Sequence, residues 1–147
     1  MRLERFKMEF FVKCNPPRST AQSATRVFKN KYTGKMFIGK DKKGMAVREE
    51  LMALLRPYIP ERAFEKPIQI VMEWGYPYLK TVRKRDIGKI IPKDTKADAD
   101  NCCKMIFDCM TRLGFWQDDA LIWDLRFRKF YTDQPGIGIK IEEFSEK

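Results

Sequence analysis

The chain has 147 residues, 44% of them hydrophobic, with 30 Lys and Arg against 20 Asp and Glu and no His. That size and composition predict one packed domain and exclude global disorder. The missing histidine excludes Ser-His-Asp and Cys-His catalysis and histidine-ligated zinc, so hydrolytic chemistry would have to run on carboxylates, lysine and metal.

Residues 3–13 are rich in aromatics with partial alternation and predict a first strand, ended by Asn15-Pro16-Pro17 because proline donates no ladder hydrogen bond. The N-terminus lacks the apolar run of a secretory signal, and no stretch approaches the ~20 apolar residues of a membrane span. Residues 26–39 read as a basic hairpin turning at Tyr32-Thr33-Gly34. Basic residues interleaved with Phe28, Tyr32 and Phe37 suit nucleic-acid backbone tracking, although an ordinary exposed hairpin has the same pattern.

A helix follows over 45–56, with Val47, Leu51, Leu54 and Leu55 as its apolar stripe and Pro57 as its stop. Ile68, Ile70, Met72 and Trp74 alternate through a second strand. The connection from Lys80 to Ala97 is long and basic, which favours a functional or mobile loop over a mere link. Asp100 or Asn101 is the expected N-cap of the next helix, which ends at Leu113 with Gly114 at the C′ position. Cys103, Ile106, Phe107 and Met110 form its apolar face, opposite a polar stripe of Asp100, Lys104, Asp108 and Arg112. Residues 121–131 predict a strand with Leu121, Trp123, Leu125 and Phe127 on one face. Asp133-Gln134-Pro135-Gly136 then turns the chain into a last strand with Ile137, Ile139 and Ile141 facing inward. The fold class expected is α+β: a single domain over 1–147, a mixed β-sheet with two main helices packed against it, and a basic β-hairpin arm.

Charge divides unevenly. Residues 1–97 carry 23 Lys and Arg against 10 Asp and Glu, whereas 98–147 carry 7 against 10. The basic part points to nucleic acid or another anionic surface, with a solvated lysine-rich face as the plainer alternative. Candidate DNA contacts are Arg18, Arg26, Lys29, Lys31, Lys35, Lys40, Lys42 and Lys43 around the hairpin, and Arg83, Lys84, Arg85, Lys89, Lys93 and Lys96 in the connection. Cys14, Cys102, Cys103 and Cys109 form no CxxC pair, so reduced thiols and a cytoplasmic setting are expected.

The acids gather where the basic excess ends. In an extended segment Asp98 and Asp100 would face one cleft, and two such carboxylates repel unless a divalent cation lies between them. Mg²⁺ suits that position because it takes one or two carboxylates and completes its shell with water and phosphate oxygens. Asp119, entering from the next strand, could supply a third ligand; Asp118 beside it is a further candidate, and a solvated turn is the alternative for both. Lys104, one turn after Asp100, could form an i,i+4 ion pair or stabilise charge developing on a phosphate. Asp108 reads as structural or as an orienter of Lys104.

The spaced set Asp98-x-Asp100-Asn101-x-x-Lys104, Phe107-Asp108, Gly114-Phe115-Trp116-x-Asp118-Asp119 and Lys129 resembles the RusA-type Holliday-junction resolvases of bacteria and their phages. The likeness covers about residues 96–131, and Asn15-Pro16-Pro17 matches that family's N-terminal proline motif. It implies a Mg²⁺-dependent endonuclease of recombination and repair, with no small-molecule cofactor, acting as a homodimer on branched DNA such as a four-way junction. Asp98, Asp100 and Asp119 fall on the family's catalytic acids and Lys104 on its catalytic lysine. Cys102 stands where an apolar residue is more usual, and the 80–97 connection is longer than the family's. A non-catalytic nucleic-acid-binding module, a nucleotidyltransferase and a flap or branched-DNA nuclease of broader specificity are the alternatives; the chain has no Gly-Ser motif of the transferase kind.

Overall fold

The computed structural model describes the backbone of residues 5–20, 25–40 and 42–146, and the side chains of these except 25–28, 37–40, 42 and 43. The elements in chain order are β1 (Lys7–Lys13), β2 (Thr25–Lys29), β3 (Met36–Lys40), α1 (Lys42–Leu55), β4 (Ile68–Pro77), β5 (Ile91–Pro92), α2 (Ala99–Leu113), β6 (Ile122–Thr132) and β7 (Gly136–Glu143). Short 3₁₀ turns lie at Arg56–Tyr58, Lys84–Asp86 and Asp119–Leu121. The α+β expectation holds: a five-stranded mixed sheet in the order β1-β7-β4-β6-β5 packs against two helices, and β2 and β3 form a separate two-stranded sheet.

Alternation fixes which sheet face is covered. Ile68, Ile70, Met72, Trp74 and Tyr76 of β4 and Ile137, Ile139 and Ile141 of β7 are all buried, as period-two patterning requires. From the helices, Leu51 and Leu55 of α1 and Cys102, Met105, Ile106, Cys109 and Met110 of α2 join the same cluster. The buried part of α2 is wider than a single stripe, because α1 covers the flank that the sheet does not reach. Asp108 sits at that helix seam, paired with Arg48 of α1 and lying 3.6 Å from Arg112.

Order within the sheet goes beyond hairpin logic. β6 runs parallel to β4, with α2 in the connection between them, while β7 is antiparallel to β4 on the other side and pairs with β1. The three residues between β6 and β7 therefore carry the chain across the end of β4 instead of closing a hairpin. Gly136 enters β7 against Val12 and Phe11: a Cβ there would lie 2.3 Å from Phe11 Cζ and 2.6 Å from the Val12 carbonyl. Gly138, two residues on, leaves 3.7 Å to the same ring. Gly136→Ala should therefore lower unfolding free energy by about 1–3 kcal/mol while Gly138→Ala stays within about 0.5 kcal/mol. Urea denaturation of the two variants checks the contrast.

β6 departs from expectation. Leu121 and Phe127 are partly buried, but Trp123 is 59% and Leu125 42% exposed. Among the described residues β5 pairs only with Phe130 and Tyr131 and no strand pairs with that side of the first part of β6, which is there an open sheet edge.

Candidate active site

α2 begins immediately after Asp98, so its cap lies two residues before Asp100 and three before Asn101, the caps expected from the sequence. Asp98 holds the N-cap position with extended backbone (φ −67°, ψ 145°), and its carbonyl accepts from the Cys102 amide at 3.0 Å. Its carboxylate makes no capping bond. Asp100 lies inside the first turn, where an acid is favoured by the positive helix end. The expectation that Asp98 and Asp100 lie together in an extended segment does not apply, because only Asp98 keeps extended backbone and Asp100 is already within the first turn of α2.

Helical spacing groups these residues differently. Asp98 and Asn101, three apart, line one cavity of about 340 Å³ with Arg18, Ser19, Lys96 and Ala97. Asp100 and Lys104, four apart, are both exposed on another side of the helix. No ion pair joins them, and among the described residues Lys104 has no hydrogen-bonding or ionic partner.

Asp119 opens the 3₁₀ turn Asp119–Leu121, which rests against α2. Asp118 caps that turn, its Oδ1 accepting from the Ala120 amide at 2.9 Å, and it lines a separate groove with Phe64, Thr111 and Trp116. Of the adjacent acids, Asp118 is thus committed to the turn. Among the described residues no three Asp, Glu or Cys side chains stand close enough together to hold a metal ion, so Asp98, Asp100 and Asp119 do not form one ligand cluster.

A hard divalent cation does not need three carboxylates. One observation speaks to its fit. Asn101 Oδ1 is buried and, among the described residues, has no hydrogen-bond partner, although the residue lines the same cavity as Asp98. A buried amide oxygen left unsatisfied is destabilising by about 1–3 kcal/mol, which a cation would relieve. The nearby donors are carboxylate and amide oxygens, suited to Mg²⁺, Mn²⁺ or Ca²⁺ rather than to thiophilic metals. The site residues fit such an ion. Asn101 was present in the motif, but reading it as a cap concealed an oxygen without a partner.

Burial holds the three α2 thiols in the neutral form. Burial pushes Cys102 up to about 11 and Cys103 up to about 12, and also raises Cys109. Thiols so shifted stay protonated and inert at neutral pH.

The opposite wall of the cavity comes from the proline motif. Pro16 is buried, and the Tyr76 hydroxyl donates to the Pro17 carbonyl at 2.8 Å, which brings Arg18 to the mouth. Lys29, Lys31 and Lys35 are exposed around the hairpin turn, where Asn30 Oδ1 accepts from the Tyr32 and Thr33 amides and Gly34 takes φ 73°. The side chains of Arg26, Lys40, Lys42 and Lys43 lie outside the described residues. In the long connection Arg83, Lys84, Arg85, Lys89 and Lys96 are exposed, although Arg83 and Lys89 both pair with Asp86. That connection is tied together internally, because the Tyr78 hydroxyl accepts from the Gly88 amide and donates to the Lys89 carbonyl. Lys93 must be removed from the DNA-contact set: it is 9% exposed, and its ammonium points inward between Tyr76 and Tyr131.

An α+β domain with acids at a helix start beside a cationic wall is an arrangement suited to an enzyme acting on a polyanion. The sequence matches the family described as Endodeoxyribonuclease RusA over residues 16–142, and the chain belongs to that family. It is 26% identical over 119 residues to the uncharacterized protein YqaN of Bacillus subtilis, covering 76% of this chain and 82% of that one. It is 28% identical over 93 residues to the crossover junction endodeoxyribonuclease RusA of Escherichia coli K12, covering 63% of this chain and 65% of the relative. The protein of the same name from Escherichia coli O139:H28 is 26% identical over the same length.

Proposed function

We propose that this protein is a Mg²⁺-dependent, structure-selective endonuclease that resolves four-way DNA junctions. The observation that carries the reading is the unpartnered Asn101 oxygen beside Asp98, in a cavity walled by Arg18 and Lys96. Asp98 and Asn101 would hold the ion, with Asp100 or Asp119 reaching it through bridging water. The ion, when bound, supplies Lewis-acid activation and charge neutralisation at the scissile phosphate. Lys104, exposed and without a described partner, would meet negative charge on substrate oxygens. Arg18 and Lys96 draw the phosphate backbone to the mouth. The basic hairpin and the 80–97 connection grip the junction arms through phosphates, so affinity falls steeply with salt.

Resolution needs paired nicks, and a two-fold homodimer carries two sites. The open edge of β6 supports such an assembly. Antiparallel pairing of two copies about Leu125 would set Asp124 against Arg126 and Trp123 against Phe127, a self-complementary edge.

The test is incubation of the protein with a synthetic four-way junction, a flapped duplex and a linear duplex, each with and without Mg²⁺, followed by nick mapping. Paired nicks in the junction alone, and only with the ion, are expected. Cleavage of all branched forms at similar rates selects the broader flap nuclease. Tight binding with no cleavage in Mg²⁺ or Mn²⁺ leaves a non-catalytic binding module.

A further inference from the structure

Three consecutive carbonyls just before Asp98 are each taken by an ammonium group. Lys129 Nζ donates to the Ala97 carbonyl at 2.6 Å and to that of Thr95. Lys93 Nζ donates to the Lys96 carbonyl and, at 2.7 Å, to Thr95 Oγ1. The two lysines belong to one device, because the Lys93 amide donates to the Lys129 carbonyl at 3.1 Å. Lys93 is buried with its Nζ 5.0 Å from the Tyr76 ring centre and 5.7 Å from that of Tyr131. Tyr76 in turn holds Pro17 and hence the Arg18 wall.

Neither lysine forms an ion pair with a described carboxylate. Burying an ammonium is unfavourable unless an acid or a full set of acceptors meets it, and the usual way to hold a loop is a neutral hydrogen bond or an ion pair. Carbonyls and ring faces satisfy these two ammonium groups without cancelling their charge. The result is a rigid backbone for residues 95–97, with two positive charges behind the carboxylate that follows. A carboxylate replacing those carbonyls would hold the loop as well and would erase that field.

We propose that Lys93 and Lys129 are positioning residues, which clamp the 95–97 backbone so that Asp98 is presented at the cavity mouth in one orientation. This rests on the nuclease reading above. Neither residue touches substrate; each acts through Asp98. The β6 lysine was visible in the sequence as part of a spaced motif, but nothing there indicated that its ammonium binds backbone.

The experiment compares wild type with Lys129→Met, Lys93→Met and Lys129→Arg. With a four-way junction and Mg²⁺, kcat should fall by about 10- to 100-fold in either Met variant, as for loss of groups that orient a ligand, while KM and junction affinity change by no more than about twofold. Lys129→Arg, which keeps charge and donors, should recover at least half of the lost rate on a logarithmic scale. Without metal or DNA, NMR relaxation should show larger backbone amplitudes at residues 96–98 in the Met variants while β4 and β7 are unchanged. Should a Met variant be unfolded at the assay temperature, the rate and relaxation readouts are taken on Lys129→Arg and Lys129→Gln, where Gln must show the loss and Arg the recovery. Folded Met variants with unaltered kcat, or a loss confined to affinity, overturn the clamp. If wild type itself leaves the junction uncut, the nuclease reading fails, and relaxation at 96–98 still decides whether the lysines order the loop.

Discussion

Asp98→Asn is expected to abolish junction cleavage, by a thousandfold or more, while junction affinity stays within about twofold. The substitution keeps size and shape and removes only the anionic oxygen. Loss of a ligand to an ion that neutralises a developing charge is an effect of about 4 kcal/mol on the barrier, which is about a thousandfold in rate. Affinity survives because it comes from cations: Arg18, Lys96, the hairpin lysines and the basic connection are untouched. Removing a negative charge from the mouth weakens repulsion of phosphate. Single-turnover cleavage and a parallel binding titration in Ca²⁺ separate the two effects. A fully active Asp98→Asn protein would remove this carboxylate from the chemistry. Asp100→Asn is the companion measurement. An equal loss places both acids at the ion across the helix start, whereas full activity leaves the Asp98–Asn101 side as the site.

Trp116→Ala should be the most destabilising single change near the site, lowering unfolding free energy by about 3–5 kcal/mol. The indole is 1% exposed and packs edge-on against Phe107, with 6.0 Å between ring centres. Its Nε1–H donates to Thr111 Oγ1 at 2.7 Å, and that hydroxyl donates to the Phe107 carbonyl at 2.8 Å. Trp116 also bridges to Phe64, whose amide donates to the Phe115 carbonyl at 2.8 Å. These contacts anchor the segment that runs from the left-handed Gly114 (φ 90°) to Asp118 and Asp119. Truncation opens a large cavity and frees that segment, so cleavage should fall more steeply with temperature than in wild type. Trp116→Phe, which keeps most of the volume and loses the donor, should lie near a third of the Ala effect. Chemical denaturation of all three proteins tests this ranking.

Much of the fold was legible because apolar periodicity reports which face is covered. β4 and β7 alternate strictly and are buried accordingly; α2 ends at Leu113 with Gly114 left-handed, as its C-terminal residues indicate. Sheet order was not legible, since pattern reveals a strand's face and not its neighbour, and β7 passes over β4 to reach β1. The exposure of Trp123 and Leu125 escaped notice for a related reason: alternation marks a face, while a sheet edge depends on what pairs beyond it. The candidate acids could be picked from spacing against a basic background. Their orientation could not, because it turned on whether α2 starts before or after Asp100. Lys93 shows the remaining limit. A lysine in a basic run looks solvent-facing until two tyrosines enclose it.

The position of β7 has a consequence for how the molecule comes together. Among the described residues β1 is bonded within the sheet only to β7, and the register runs from Lys7 against Glu142 to Lys13 against Gly136. A nascent polypeptide that stops short of residue 136 has nowhere to seat its first strand, and the Arg18 side of the cavity hangs from that strand. Closure of so distant a pairing carries a large loop entropy and is a slow step in acquiring the native topology. The two halves of the cavity therefore meet late, and shortening the chain within β7 would both separate them and strip Ile137, Ile139 and Ile141 from the core that α2 packs against.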